Sequence, residues 1–90
     1  MNTAARWVPL RYYLRLQRAR VPEIAFSFRR LEGILGDGLP RPARKYPEWW
    51  ANDGANEQAR AWLEEGWRVR AVDLATETVV FELAASPPQG

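Results

Sequence analysis

Apolar positions along this chain follow a helical period at first and a period of two towards the end. Behind Pro9, the residues Leu10, Tyr13 and Leu14, with Gln17 at the end, share one helical face. Pro9 suits the first helical position because its missing N–H would go unpaired there, and Pro22 marks the stop. Glu23 to Phe26 reads as a short extended run leading into Ser27, whose hydroxyl can accept from an orphan amide of a following helix. Phe26 and Leu31 have the spacing of a hydrophobic staple, Phe28, Leu31, Ile34 and Leu35 form the buried stripe, and Gly36 ends this second helix.

The segment from Leu39 to Ala55 is the least regular. It holds three prolines, the cations Arg41, Arg44 and Lys45, and then Tyr46, Trp49, Trp50 and Asn52, with room for about one helical turn on either side of Pro47. Asn52 or Asp53 can cap a third helix whose face is Ala55, Ala59, Trp62 and Leu63. Gly66 is the expected C-cap, with Trp67 folding back on Trp62. Then the period changes. Trp67, Val69 and Ala71 alternate with Arg68 and Arg70, and after a turn near Ala75 to Thr78 the residues Val79, Phe81 and Leu83 alternate with Val80 and Glu82, which predicts a β-hairpin with one face on the core.

The expected fold is therefore α+β and winged-helix-like: three helices, a short strand and a C-terminal β-hairpin, with the hairpin as the wing and the helix near 55–65 as the recognition helix. Residues 1–8 are expected to be an N-terminal extension, 9–84 a single domain and 85–90 a flexible tail.

Composition narrows the chemistry. A 90-residue chain with no cysteine and no histidine lacks the thiol nucleophile, the commonest general base and the usual zinc ligands. Gly33, Gly36 and Gly38 are spaced wrongly for a phosphate loop and lack the following Lys-Ser/Thr. The acidic residues Glu48, Asp53, Glu57 and Asp73 are scattered. The expectation is a domain that binds rather than catalyses, without metal or cofactor. No apolar run approaches a membrane span and no secretory signal opens the chain, so a cytoplasmic location is expected, without a membrane partner. Net charge is +2, but residues 1–45 carry +7 and residues 46–90 carry −5, an asymmetry that points to a basic patch.

Cations interleaved with aromatics suit nucleic acid: Arg41, Arg44, Lys45, Arg68 and Arg70 would clamp phosphates while an exposed Trp50 ring stacks. Gln58 and Arg60, on the early turns of the third helix, suit adenine and guanine edges, and Asn52 is a further base contact if it is not a cap. Competing assignments exist for the same residues. Arg60 can pair with Glu64 at i+4, and the Arg11/Arg15/Arg18 stripe can be a solvated helix face. The expected partner is duplex DNA, for a small regulator or targeting module. The alternative is a homodimer or protein-binding module with Tyr46, Trp49 and Trp50 as an aromatic anchor.

Several runs carry a resemblance: Ser27-Phe28, Leu31-Glu32-Gly33-Ile34-Leu35-Gly36, Leu39-Pro40, Ala43-Arg44, Trp49-Trp50-Ala51-Asn52, Gln58-Ala59-Arg60-Ala61-Trp62-Leu63, Gly66-Trp67-Arg68-Val69, Val72-Asp73-Leu74 and Val79-Val80-Phe81. With these the chain resembles an uncharacterised family of small bacterial domains. Its members look like stand-alone short proteins or modules joined to other domains, nuclease-like ones included, which is compatible with a targeting role. The family pattern reads Ser where Pro42 stands, His where Asn56 stands, and a basic residue where Glu82 follows Phe81. The resemblance implies a domain and no particular activity.

Overall fold

The computed structural model describes residues 3–84. After a 3-10 turn at Thr3–Trp7 come helix α1 (Val8–Gln17), strand β1 (Glu23–Ser27), helix α2 (Phe28–Leu35), the short helix α3 (Arg41–Lys45), a second 3-10 turn (Pro47–Trp50), helix α4 (Glu57–Leu63) and strands β2 (Trp67–Asp73) and β3 (Thr78–Leu83). The class is α+β, with four helices where the sequence pattern implies three. The extra one, α3, lies in the irregular segment on the N-terminal side of Pro47, where a single turn is expected. The tail expected at 85–90 lies outside the described residues.

Local chemistry explains most boundaries. The Ser27 hydroxyl accepts from the Arg30 amide at 3.0 Å, capping α2. Gly36 closes that helix at φ 73°, a left-handed conformation that a side chain would strain. Asp73 Oδ1 accepts from the amides of Ala75 and Thr76 and so shapes the turn between β2 and β3. The expected cap of α4 is not made. Asn56 takes the capping position without a side-chain bond, while Asp53 Oδ1 holds the Ala55 amide one turn earlier. Ala55 is accordingly exposed in the turn rather than part of a buried helical face.

The three strands form one antiparallel sheet in the order β1-β3-β2. The expected hairpin is present, but its second strand is the centre of the sheet, because β1 pairs along the other edge of β3 from Glu23↔Glu82 to Ser27↔Thr78. The β2–β3 register slips at Arg70, between Val69↔Phe81 and Ala71↔Val80. One extra residue reverses the faces of everything beyond it. Ala71, expected to face the core, is therefore exposed, and Val72 packs against the core in its place.

The helices cover one face of this sheet, and the core between them is built on aromatics. Phe28 stacks on Trp50 (5.1 Å between ring centroids), Trp50 stacks on Trp62 (6.1 Å), and Trp62 meets Phe81 of β3 edge-on (5.4 Å). Phe81, Phe26 and Tyr13 continue the series. Each of these large rings removes on the order of 150–250 Å² from water, which is how few residues fill so small an interior. Packing also reaches behind the expected start of the domain: Trp7 is buried and tilts against Trp49 at 5.7 Å, so it belongs to the core. Trp67 turns to α1, its Nε1 donating to the Leu14 carbonyl at 2.9 Å. Among the described residues, no helix is long and apolar enough to cross a membrane.

Candidate nucleic-acid interface

The basic and acidic halves of the chain are interleaved by folding. Arg11 of α1 reaches Glu64 just beyond α4 at 2.8 Å. Arg15 grips Glu65 through two bonds of 2.9 Å, so the arginines expected on a solvated stripe instead tie α1 to the end of α4. The Glu65 carboxylate is only 5% exposed, and its hydrogen bonds from Arg15 hold its pKa below the ordinary carboxylate range despite that burial.

The phosphate-clamp residues divide into two groups. Arg44 Nη1 donates to Glu32 at 2.7 Å and its Nε to Glu77 at 3.2 Å, with the guanidinium over the Phe28 ring. Bonds from Arg44 and from the Leu39 amide lower the Glu32 pKa. On the sheet, Arg68 pairs with Glu82 at 3.3 Å and Arg70 with Glu23 at 3.3 Å. The outer face of the expected wing is thus an alternating ladder of two arginines and two glutamates across three strands, not a basic surface. Arg41 and Lys45 of α3 differ. Both are exposed and neither lies within ion-pair distance of a described carboxylate; Lys45 Nζ sits 5.6 Å from the Tyr46 ring.

The reading residues change role more sharply. Trp50 is 2% exposed, sandwiched between Phe28 and Trp62, and its Nε1 donates to the Ala43 carbonyl at 2.7 Å. It offers no face for stacking. Of the adjacent pair, Trp49 is the partly exposed ring. Asn52 is neither a cap nor a free amide. Its Oδ1 accepts from Trp62 Nε1 (3.0 Å) and from the Val69 amide (2.8 Å), and its Nδ2 donates to the Val69 carbonyl (2.9 Å). In effect it docks the 50–56 loop onto β2 by mimicking a neighbouring strand. Arg60 donates to the carbonyls of Gly54 and Ala55 rather than pairing with Glu64. Gln58 Nε2 donates to the Trp49 carbonyl at 3.0 Å. With Glu57 and Glu64 on or beside it and Arg60 folded onto the backbone, α4 presents no free cation, unlike the recognition helix expected there.

Some of these residues do converge. Pro42, Tyr46, Glu48, Trp49, Asn56 and Gln58 line an open groove of about 440 Å³ between α3, the second 3-10 turn and the start of α4. Pro47 makes the groove: it ends α3, and the turn it starts sends Trp50 inward and leaves Tyr46 and Trp49 at the rim. Of the predicted site residues, Gln58 lies in the groove, Lys45 beside it through Tyr46, and Arg41 one helical turn from Lys45 on the same face of α3. Arg68 and Arg70 belong to the sheet ladder instead. Sequence reasoning missed Glu48 and Asn56 as lining residues, and only their nearness to Tyr46 and Gln58 along the chain could have indicated them.

The chain is a member of a family described as a domain of unknown function (DUF7662), whose profile matches residues 7–85. No curated protein and no solved structure is similar enough to match.

Proposed function

We propose that this is a winged-helix-like nucleic-acid-binding module whose contact surface is α3 and the adjoining groove, not α4 and the hairpin. The observation that carries this reading is that two exposed cations without carboxylate partners among the described residues, Arg41 and Lys45, lie beside the 47% exposed Tyr46 ring at the groove. Cations that track phosphates next to an open aromatic face are the two parts a nucleic-acid site requires. The element order supports a winged-helix-like description, with a first strand that joins the later hairpin in one sheet. The neutral outer face of β2 and β3 argues against a wing that contacts phosphate.

The test is fluorescence anisotropy with a labelled single strand and the matching duplex at several salt concentrations. Wild type binds with a negative log–log salt slope. In the double variant Arg41→Ala/Lys45→Ala, that slope shrinks by about 1.4 for single strands or about 1.8 for duplex, the loss of two phosphate contacts. Absence of binding to either form at about 50 mM salt refutes the proposal.

A second reading, a protein-interaction module, rests on a separate observation. Val8, Tyr12 and Leu16 recur every four residues along α1 and are all more than half exposed, an apolar ridge on the side away from the buried Leu10 and Leu14. Light scattering separates the two. A tight homodimer that ignores nucleic acid and becomes monomeric in Tyr12→Glu favours the ridge.

A further inference from the structure

We propose that the groove beside α3 holds an unpaired guanine base, an inference that rests on the nucleic-acid reading above. The walls suit a flat aromatic ligand: Tyr46, Trp49 and Pro42 supply ring and hydrocarbon surfaces. Two acceptors among them, the Glu48 carboxylate and the Gln58 amide oxygen, have no partner among the described residues. Glu48 has no basic partner within ion-pair distance among the described residues, whereas Glu23, Glu32, Glu64, Glu65, Glu77 and Glu82 all do. Gln58 spends one amide N–H on the Trp49 carbonyl, which fixes the side chain and leaves its Oε1 without a partner among the described residues. Asn56 occupies the capping position of α4 but makes no capping bond with its side chain.

A carboxylate and an amide oxygen in one groove call for adjacent N–H donors on the ligand. Among the bases, guanine alone presents two side by side, N1–H and the N2 amino group, and it exposes them only when unpaired. Cytosine and adenine place an acceptor next to their amino group, and thymine flanks its single N–H with two carbonyls, so each sets a lone pair against Glu48. The Glu48 charge repels free phosphate from the groove itself. Lys45 and Arg41, on α3 outside it, supply the complementary charge for the phosphates flanking an inserted base. Single-stranded bases are held in this way elsewhere, stacked on aromatic side chains and read along their Watson–Crick edge.

The experiment compares labelled ten-nucleotide thymidine strands, unsubstituted or carrying one central dG, dA or dC, against the wild-type protein. The dG strand binds at least about fivefold tighter than the all-thymidine strand, the discrimination of one good base contact. Glu48→Gln, at an exposed position, leaves the melting temperature unchanged and brings the preference below about twofold, while thymidine-strand affinity stays the same or rises. Equal affinity for all four strands, a preference for dA or dC, or a guanine preference that survives Glu48→Gln overturns the guanine site; salt-dependent thymidine-strand binding would then still uphold the nucleic-acid reading. Failure of every strand to bind overturns the guanine site, and the nucleic-acid reading falls with it when the matching duplex also fails to bind.

Discussion

Replacing Asn52 by alanine is expected to destabilise the domain rather than to alter a binding preference. The side chain makes three hydrogen bonds, to Trp62 Nε1 and to both backbone groups of Val69. Trp62 is fully buried and Val69 nearly so, although Asn52 itself is exposed, so water replaces the lost amide only in part. A net loss of about 1 kcal/mol per neutral hydrogen bond, and up to about 3 kcal/mol for a buried donor left alone, gives about 3 kcal/mol in all. For a domain of this size that lowers the melting temperature by about 12–20 °C, to be read by thermal circular dichroism. Asn52→Asp is a stringent companion. It keeps the accepting Oδ1 but sets an oxygen against the Val69 carbonyl, and it is expected to lose at least half as much. A melting temperature within about 3 °C of wild type for Asn52→Ala would refute the reasoning.

Other consequences are as direct. Trp50→Ala removes a ring stacked between Phe28 and Trp62 and is expected to cost about 3–5 kcal/mol, seen as loss of cooperative unfolding or a much lower denaturant midpoint; a folded, merely binding-deficient variant contradicts the packing described. Glu32 and Glu65 have folded pKa values lowered chiefly by Arg44 and Arg15. Their contribution is complete above the unfolded carboxylate range near pH 4.3 and is lost as pH falls through the lower folded values. The decline in melting temperature between about pH 6 and pH 3 should be shallower in Glu65→Gln than in wild type. Gly66 sits at φ 88°, so Gly66→Ala is expected to cost about 1–2 kcal/mol in urea unfolding, although the position has room for the methyl group.

The local pattern made the elements legible, because caps, prolines and periodicity act over a few residues. Ser27, Gly36, Gly66 and the Val79/Phe81 alternation each announce a boundary or a face that is present. Three things were not readable, and each depends on long-range pairing. The bulge at Arg70 reverses Ala71 and Val72 without any glycine to announce it. The Asn52 amide has a good local use as a cap, yet its partner is Val69, seventeen residues away. The +7 and −5 halves suggest a basic face, but opposite charges are brought together by helix and strand packing, as Arg15–Glu65 and Arg70–Glu23 illustrate. The candidate site was accordingly legible in its region, Arg41 to Gln58, and not in its members, since the choice of which of two adjacent tryptophans turns inward is made by Phe28 and Trp62.

Placing the last strand in the middle of the sheet has a bearing on biosynthesis. A nascent chain that has not yet delivered Thr78–Leu83 leaves β1 and β2 with no neighbour to bond, and the rings of Phe26 and Trp62 with no Phe81 to close upon. The domain must therefore wait for its own end to clear the ribosome before it can acquire cooperative structure, and ribosome-stalled chains cut before residue 78 should remain protease-sensitive.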